Sequence, residues 1–178
     1  MRPKILSKKP EYKNNWLKIE AVKLKFPNGV VANWQKTSLT DFVTVIAIDK
    51  QKNIYFSKEW RLSWGQDVIQ AVAGACPYKS EKRILLQARN ELREEIGLDA
   101  KKWYKLTSAC HNSRIKITVH IFLAYDLFPS KKKNEEDEII ETVKMPFNQA
   151  FEQMLSGKFK TTTCTMLGML LAKKKLKI

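Results

Sequence analysis

Sulfur and imidazole are scarce in this chain, whose 178 residues hold three cysteines and two histidines. Cys76, Cys110 and Cys164 are odd in number and show no CxxC spacing. That argues against a disulfide framework and makes reduced thiols in a cytoplasmic protein the expectation. His111 and His120 stand isolated, so a His/Cys zinc site is not expected either. No run approaches the ~18 consecutive apolar residues of a membrane span. The start, Met1-Arg2-Pro3-Lys4, is basic, but no apolar segment follows it, so neither a secretory signal nor a membrane partner is expected. Internal repeats and low-complexity segments are absent. Arginine is rare too, at six of the 33 basic positions.

The hydrophobic share of 44% suits a globular chain long enough to bury a sizeable core, about one domain. The net charge of +15 attracts anions such as nucleotides, RNA or acidic surfaces. Lysine supplies most of that charge, and lysine is a point charge rather than a planar fork for phosphate. The excess therefore fits a diffuse solvating surface as well as a nucleic-acid partner. Lys131-Lys132-Lys133 and Lys173-Lys174-Lys175 read as a loop and a solvated helix end.

Residues 16–26 alternate in two phases, Leu17 and Ile19 in one, Val22, Leu24 and Phe26 in the other. A strand with a bulge near Ala21 is expected. Pro27-Asn28-Gly29 is a turn, from which residues 30–36 pair back as a hairpin. Residues 42–49 are almost continuously apolar, as in a central strand covered on both faces. Further strands are expected near 54–61, 68–73, 104–110, 115–126 and 139–144, with a charged loop over 129–138. Pro146 opens a helix over 147–156 that Gly157 ends, and a last helix spans 162–174.

The most informative stretch is Glu91-Leu92-Arg93-Glu94-Glu95-Ile96-Gly97-Leu98. Carboxylates at i, i+3 and i+4 fall on one side of a helix, where like charges repel. Such a cluster suits a hard divalent cation, which takes carboxylate oxygens and shares its other positions with water and phosphates. Ser80 is placed to cap the helix, Glu81 suits its first turn, and Gly97 its C-terminus. Leu85, Ala88, Leu92 and Ile96 form the apolar stripe, with the carboxylates at its rim and Lys82, Arg89 and Arg93 on the far side.

Val72-Ala73-Gly74 and a loop holding Pro77 precede this helix. Together the strand, the glycine loop, the Glu-rich helix and its terminal glycine resemble the Nudix box. The family writes that box as Gly, five residues, Glu, seven residues, Arg-Glu-apolar-any-Glu-Glu-any-Gly-apolar. Glu91 to Leu98 matches it throughout. Several further segments are similar to the ADP-ribose pyrophosphatase branch. They include Lys4-Ile5-Leu6-Ser7, Asp41-Phe42-Val43, Lys58-Glu59-Trp60-Arg61, Lys102-Trp103-Tyr104-Lys105-Leu106, His120-Ile121-Phe122-Leu123-Ala124 and Leu167-Gly168-Met169-Leu170-Leu171-Ala172. The chain also departs from the pattern. Gly74 to Glu91 spans 17 positions against 15, Lys82 stands where the box has its first Glu, and Asn90 where it has Arg.

The resemblance implies an α/β (α+β) fold, a Nudix-type αβα sandwich with a mixed sheet. It implies an N-terminal hairpin extension over 1–40 that pairs two copies, and a hydrolase domain over 41–178. It also implies hydrolysis of a nucleoside diphosphate linked to another group, ADP-ribose-like or a nucleotide sugar, with Mg²⁺ (or Mn²⁺) as cofactor. Glu91 and Glu95 would be the principal metal ligands, Glu94 a further ligand or a group behind them, and the backbone at Gly74 another oxygen donor. The acidic loop Asn134-Glu135-Glu136-Asp137-Glu138 would supply the base, Glu136 first and Glu138 second. Trp60 and Arg61 match an aromatic–Arg pair that stacks on a base and forks onto phosphate. The competing expectation is a nucleotide- or RNA-binding module on the same fold, favoured by Lys82, Asn90, the longer loop and the charge.

Overall fold

The structure, a computed structural model, describes residues 2–110, 114–132, 139–158 and 160–178. The chain begins with strands β1 (Lys4–Lys13), β2 (Leu17–Lys25), β3 (Val31–Leu39), β4 (Phe42–Ile48), β5 (Asn53–Arg61), β6 (Gln66–Gln70) and β7 (Val72–Ala75). Helix α1 (Glu81–Glu95) follows, then β8 (Leu98–Cys110), β9 (Ile115–Lys116), β10 (Thr118–Pro129) and β11 (Glu141–Pro146), and helices α2 (Phe147–Leu155) and α3 (Thr163–Leu176).

The central sheet runs β11-β5-β4-β10-β8. Its β4–β10 pair is parallel, and its other pairs are antiparallel. Strand β4 shows why its sequence is apolar throughout. Ile46 and Ile48 join Phe56, Ile121, Phe147, Phe151 and Met169 in the core under α2 and α3. Val43, Val45 and Ala47 join Ile84, Ala88, Leu92 and Phe122 under α1. Both faces are covered, so alternation has no polar side to show. Gly168 lets α3 lie close: a Cβ there would meet Ile46 Cδ1 at 2.6 Å.

One edge of β4 changes partner along its length. At Ala47 and Ile48 it pairs with β5, whereas from Phe42 to Val45 it pairs with β7. Strand β5 meanwhile runs on with β6. The resulting fork opens a cleft between the β4–β7 and β5–β6 pairs, and the candidate site lies there.

A second sheet, β1-β2-β3-β9, is built mainly from the first 39 residues. All ten residues of β1 are exposed. The sequence pattern had not marked β1 as a strand, because its lysines and lack of a buried face erase the two-residue period. The irregularities of the β1–β2 ladder fall between Ile5 and Ser7 and between Pro10 and Tyr12. No bulge lies at Ala21, and β2 pairs with β3 in unbroken register. The phase change in β2 instead reflects which face packs: Glu20, Val22 and Leu24 are buried, while Leu17 and Ile19 are half-buried.

Other expectations are refined. Residues 68–73 divide into β6 and β7, and 115–126 into β9 and β10, with Ile117 between them. Ser80 caps α1, accepting from Arg83 N, and Gly97 has φ +70°. The buried stripe of α1 is Ile84, Ala88, Leu92 and Glu95, not Leu85 and Ile96, which are half-buried. Arg89 forks onto buried Asp99 with bonds of 3.2 and 2.7 Å, and Arg93 is half-buried.

Candidate active site

The carboxylates of α1 separate into different surroundings. Glu91 reaches over β7 at Gly74. A Cβ built on Gly74 would lie 2.0 Å from the Glu91 carboxyl carbon, so only glycine leaves the space the side chain occupies. Gln87, one turn earlier, steadies the group by donating Nε2–H to Glu91 Oε1 at 2.7 Å. Glu95, one turn later, is 8% exposed. Its Oε1 accepts from the Ala73 amide at 3.0 Å, and its buried Oε2 has no hydrogen-bond partner. Burial, with the nearby charges of Glu91 and Glu59, pushes the Glu95 carboxyl up to about 8 against the lowering pull of the Ala73 amide and the neighbouring Ser57 hydroxyl, which itself donates to Gln70 O. Glu94 points elsewhere and forms an ion pair with Lys132.

Glu91, Glu95 and Gly74 thus meet at β7, while Glu94 is held apart by a lysine. Among the described residues no group of three or more His, Cys, Asp and Glu side chains converges as a metal cage. The donors that do meet, two carboxylates beside a backbone edge, still suit Mg²⁺, which commonly takes one or two carboxylates and leaves its other positions to water and phosphate. The orphaned Glu95 Oε2 is what such a site predicts: a buried polar atom without a partner costs about 1–3 kcal/mol unless something binds it.

A cavity of about 380 Å³ opens beside this point. Trp16, Thr44, Arg61, Gln70, Gly74 and Thr162 are among its lining residues. Arg61 lines it and is ion-paired with Glu59. Trp60 is 57% exposed and does not line it, since neighbours on a strand face opposite ways. Glu136 and Glu138 lie outside the described residues.

Sequence reasoning missed four residues. Glu59 links Arg61 to Gln70, whose Nε2 donates to it at 3.0 Å. Trp16 comes from the turn between β1 and β2 and carries no local sign of the cleft. Gln70 sits at the fork, where β6 leads into β7. Thr44 alone carried a visible signal, as the one hydroxyl inside an apolar strand.

No protein-family model matches the chain. It is 24% identical to the ADP-ribose pyrophosphatase of Bacillus subtilis (strain 168) over 155 residues, 85% of this chain and 83% of that protein. It is also 24% identical to the methanol dehydrogenase activator of Bacillus methanolicus over 141 residues, 76% of this chain and 74% of that protein. The crystal structure of an ADP compounds hydrolase superposes with a TM-score of 0.84 at 20% identity, covering 99% of this chain and 95% of that one. The fold is therefore the mixed α+β sandwich expected of a Nudix hydrolase. Distant sequence similarity adds support for a Nudix-hydrolase-like function.

Proposed function

We propose that residues 41–178 form a Mg²⁺-dependent hydrolase domain that splits a nucleoside diphosphate linked to another moiety, an ADP-ribose-like compound or a nucleotide sugar. The carrying observation is the meeting of Glu91 and Glu95 at Gly74 beside a cavity of about 380 Å³. Water adds to one phosphorus, the bridging oxygen leaves with the other half, and the water proton passes to a carboxylate. Glu136 is the first candidate for that base and Glu138 the second. Glu91 and Glu95 would hold the cation, with an oxygen of the Gly74 backbone. A bound divalent cation supplies neutralisation of the diphosphate charge. Arg61 orients the substrate from the cleft wall, while Trp60, exposed on the opposite face of β5, could stack only on a part of the substrate that reaches past the strand.

Turnover is slow in this proposal. Asn90 brings no charge to the position where the box has Arg, and neighbouring Arg89 is committed to Asp99. The test is hydrolysis of a panel of nucleotide sugars, ADP-ribose and NTPs with Mg²⁺ or Mn²⁺. Products from none of them would reject the reading.

Gly74→Ala probes the site directly. The added Cβ meets the far end of a flexible side chain, so Glu91 moves and the strand does not. Mg²⁺ affinity and turnover should each fall about tenfold or more, in the range of groups that orient metal ligands. Thermal stability should stay within about 1 kcal/mol of the parent, as for changes that leave the core intact. Calorimetric titration with Mg²⁺ and thermal melts check the two halves.

The proposal extends to a homodimer formed through residues 1–40. Ile5, Leu6, Tyr12, Trp34 and Val31 are exposed on the second sheet, and a small sheet with uncovered apolar residues is marginal alone. Light scattering at micromolar concentration reads it: a 20.7 kDa particle removes the dimer. A cytoplasmic site of action belongs to the same reading, and no helix among the described residues is long and apolar enough to cross a membrane.

The second reading, a nucleotide- or RNA-binding module, is favoured by the +15 charge and by Lys82 and Asn90 in the box. RNA affinity measured at two salt concentrations discriminates, since phosphate contacts give a steep salt slope.

A further inference from the structure

We propose that the wall of the cleft facing α3 is a separate oxyanion subsite, built by the N-terminus of α3 and Thr44, which takes a phosphate group other than the scissile diphosphate. Two independent observations meet there. The first is the helix. Thr162 caps α3, accepting from Thr165 N, and both Thr162 and Cys164 line the cavity. Its first turn contains no acidic residue, so the positive end of a 14-residue helix faces the cavity uncompensated. The second is Thr44. It lies mid-strand, 1% exposed, and its Oγ1 has no hydrogen-bond partner. Strand alternation places its side chain with those of Phe42 and Ile46, on the α3 side, and it lines the same cavity. Valine would fill that position in an otherwise apolar strand without leaving a hydroxyl unsatisfied.

The charges around the cavity select the sign of the ligand. Glu59 is coupled to two lining residues, and its charge is already engaged by Arg61 and Gln70. Lys160, two residues before the Thr162 cap, reaches Gln66 Oε1 at 3.4 Å and adds a cation beside the start of α3. The positive helix end and a lysine make an oxyanion the fitting occupant, with the Thr44 hydroxyl as a neutral donor and the Arg61 charge already matched by Glu59. The Glu91 carboxylate lies over β7 and repels the same anion, so the two positions are distinct.

The substrate consequence rests on the hydrolase reading, but binding does not. Inorganic phosphate titrated into the metal-free full chain, followed by ³¹P NMR and thermal shift, reads the subsite with no hydrolysis. Millimolar binding is expected. Thr44→Val should weaken it about fivefold while thermal stability holds or rises, because an orphaned hydroxyl is removed. Thr163→Glu places a carboxylate on an exposed first-turn position, which favours the helix but repels the anion. It should abolish phosphate binding in a fully folded protein. If both variants bind phosphate as the parent does, or the parent binds none, the subsite does not exist. A lower KM for 2′-phosphorylated ADP-ribose than for ADP-ribose, lost in Thr163→Glu, assigns the oxyanion to the substrate; equal KM values with intact binding assign it to free phosphate. Phosphate binding without hydrolysis of any panel compound rejects the hydrolase reading and leaves the subsite standing.

Discussion

Glu91→Gln is expected to lower hydrolysis by more than a hundredfold and to remove measurable Mg²⁺ binding by calorimetry. The substitution keeps the shape and deletes one charge. Gln87 still has an oxygen to donate to, at the 2.7 Å position it now occupies. The chain has little to compensate with. Glu94 is the remaining box carboxylate, and it is drawn off by Lys132. Glu95 is buried and inclined to hold its proton. Outer-shell partners of a metal typically carry about 10–100-fold, so a direct ligand should exceed that range. The variant should fold as the parent does, because Glu91 is half-buried and a neutral amide there no longer opposes ionisation of Glu95. Glu94→Gln is the matched control, and its effect should be far smaller. Equal losses from the two would mean that the cation is held on the Lys132 side of α1.

The helix of this site was legible in the chain, and the division of labour among its carboxylates was not. Ser80, Gly97 and the apolar spacing of α1 act locally, so each is visible in sequence. Whether Glu91, Glu94 or Glu95 is buried depends on a few tens of degrees of helix rotation. That rotation is set by Ile84 packing against β4 and β7 rather than by Leu85. Periodicity over four residues does not fix it. The fork in the sheet was hidden for a similar reason. Residues 66–75 carry one unbroken tendency to extend, yet the strand changes partner at Ala71 from β5 to β4. Partner choice is a long-range property with no local signature. Strand β4, by contrast, announced itself, since burial on both faces leaves an apolar run that few other elements show. Trp16 and Thr162 reach the cleft from opposite ends of the chain, 146 positions apart, and neither carried a sign of the other.

Stability should depend on pH through Glu95, and the sign follows from its burial. In the unfolded chain this carboxyl ionises near 4.5, and in the folded protein near 8. Between those values the folded state holds a proton that the unfolded state has released. Folding then takes up a proton, so stability falls as pH rises. The full stability is present below 4.5, the loss accrues through the window from 4.5 to 8, and above 8 this group adds no further slope. Each unit of pH in the window removes up to about 1.4 kcal/mol. Glu95→Gln, neutral at every pH, keeps an oxygen for the Ala73 amide and should flatten the curve. Without divalent ions the variant should therefore melt above the parent at pH 8, and the two should converge near pH 5. Mg²⁺ should raise the parent at pH 8 and leave the variant unmoved, because a ligand that binds only the folded, ionised site stabilises by mass action. The measurement is a pair of melting series from pH 5 to 9, with EDTA and with Mg²⁺. A parent curve that is flat in EDTA would mean that Glu95 is solvated and ionised throughout, and its role as a buried ligand would fall with it.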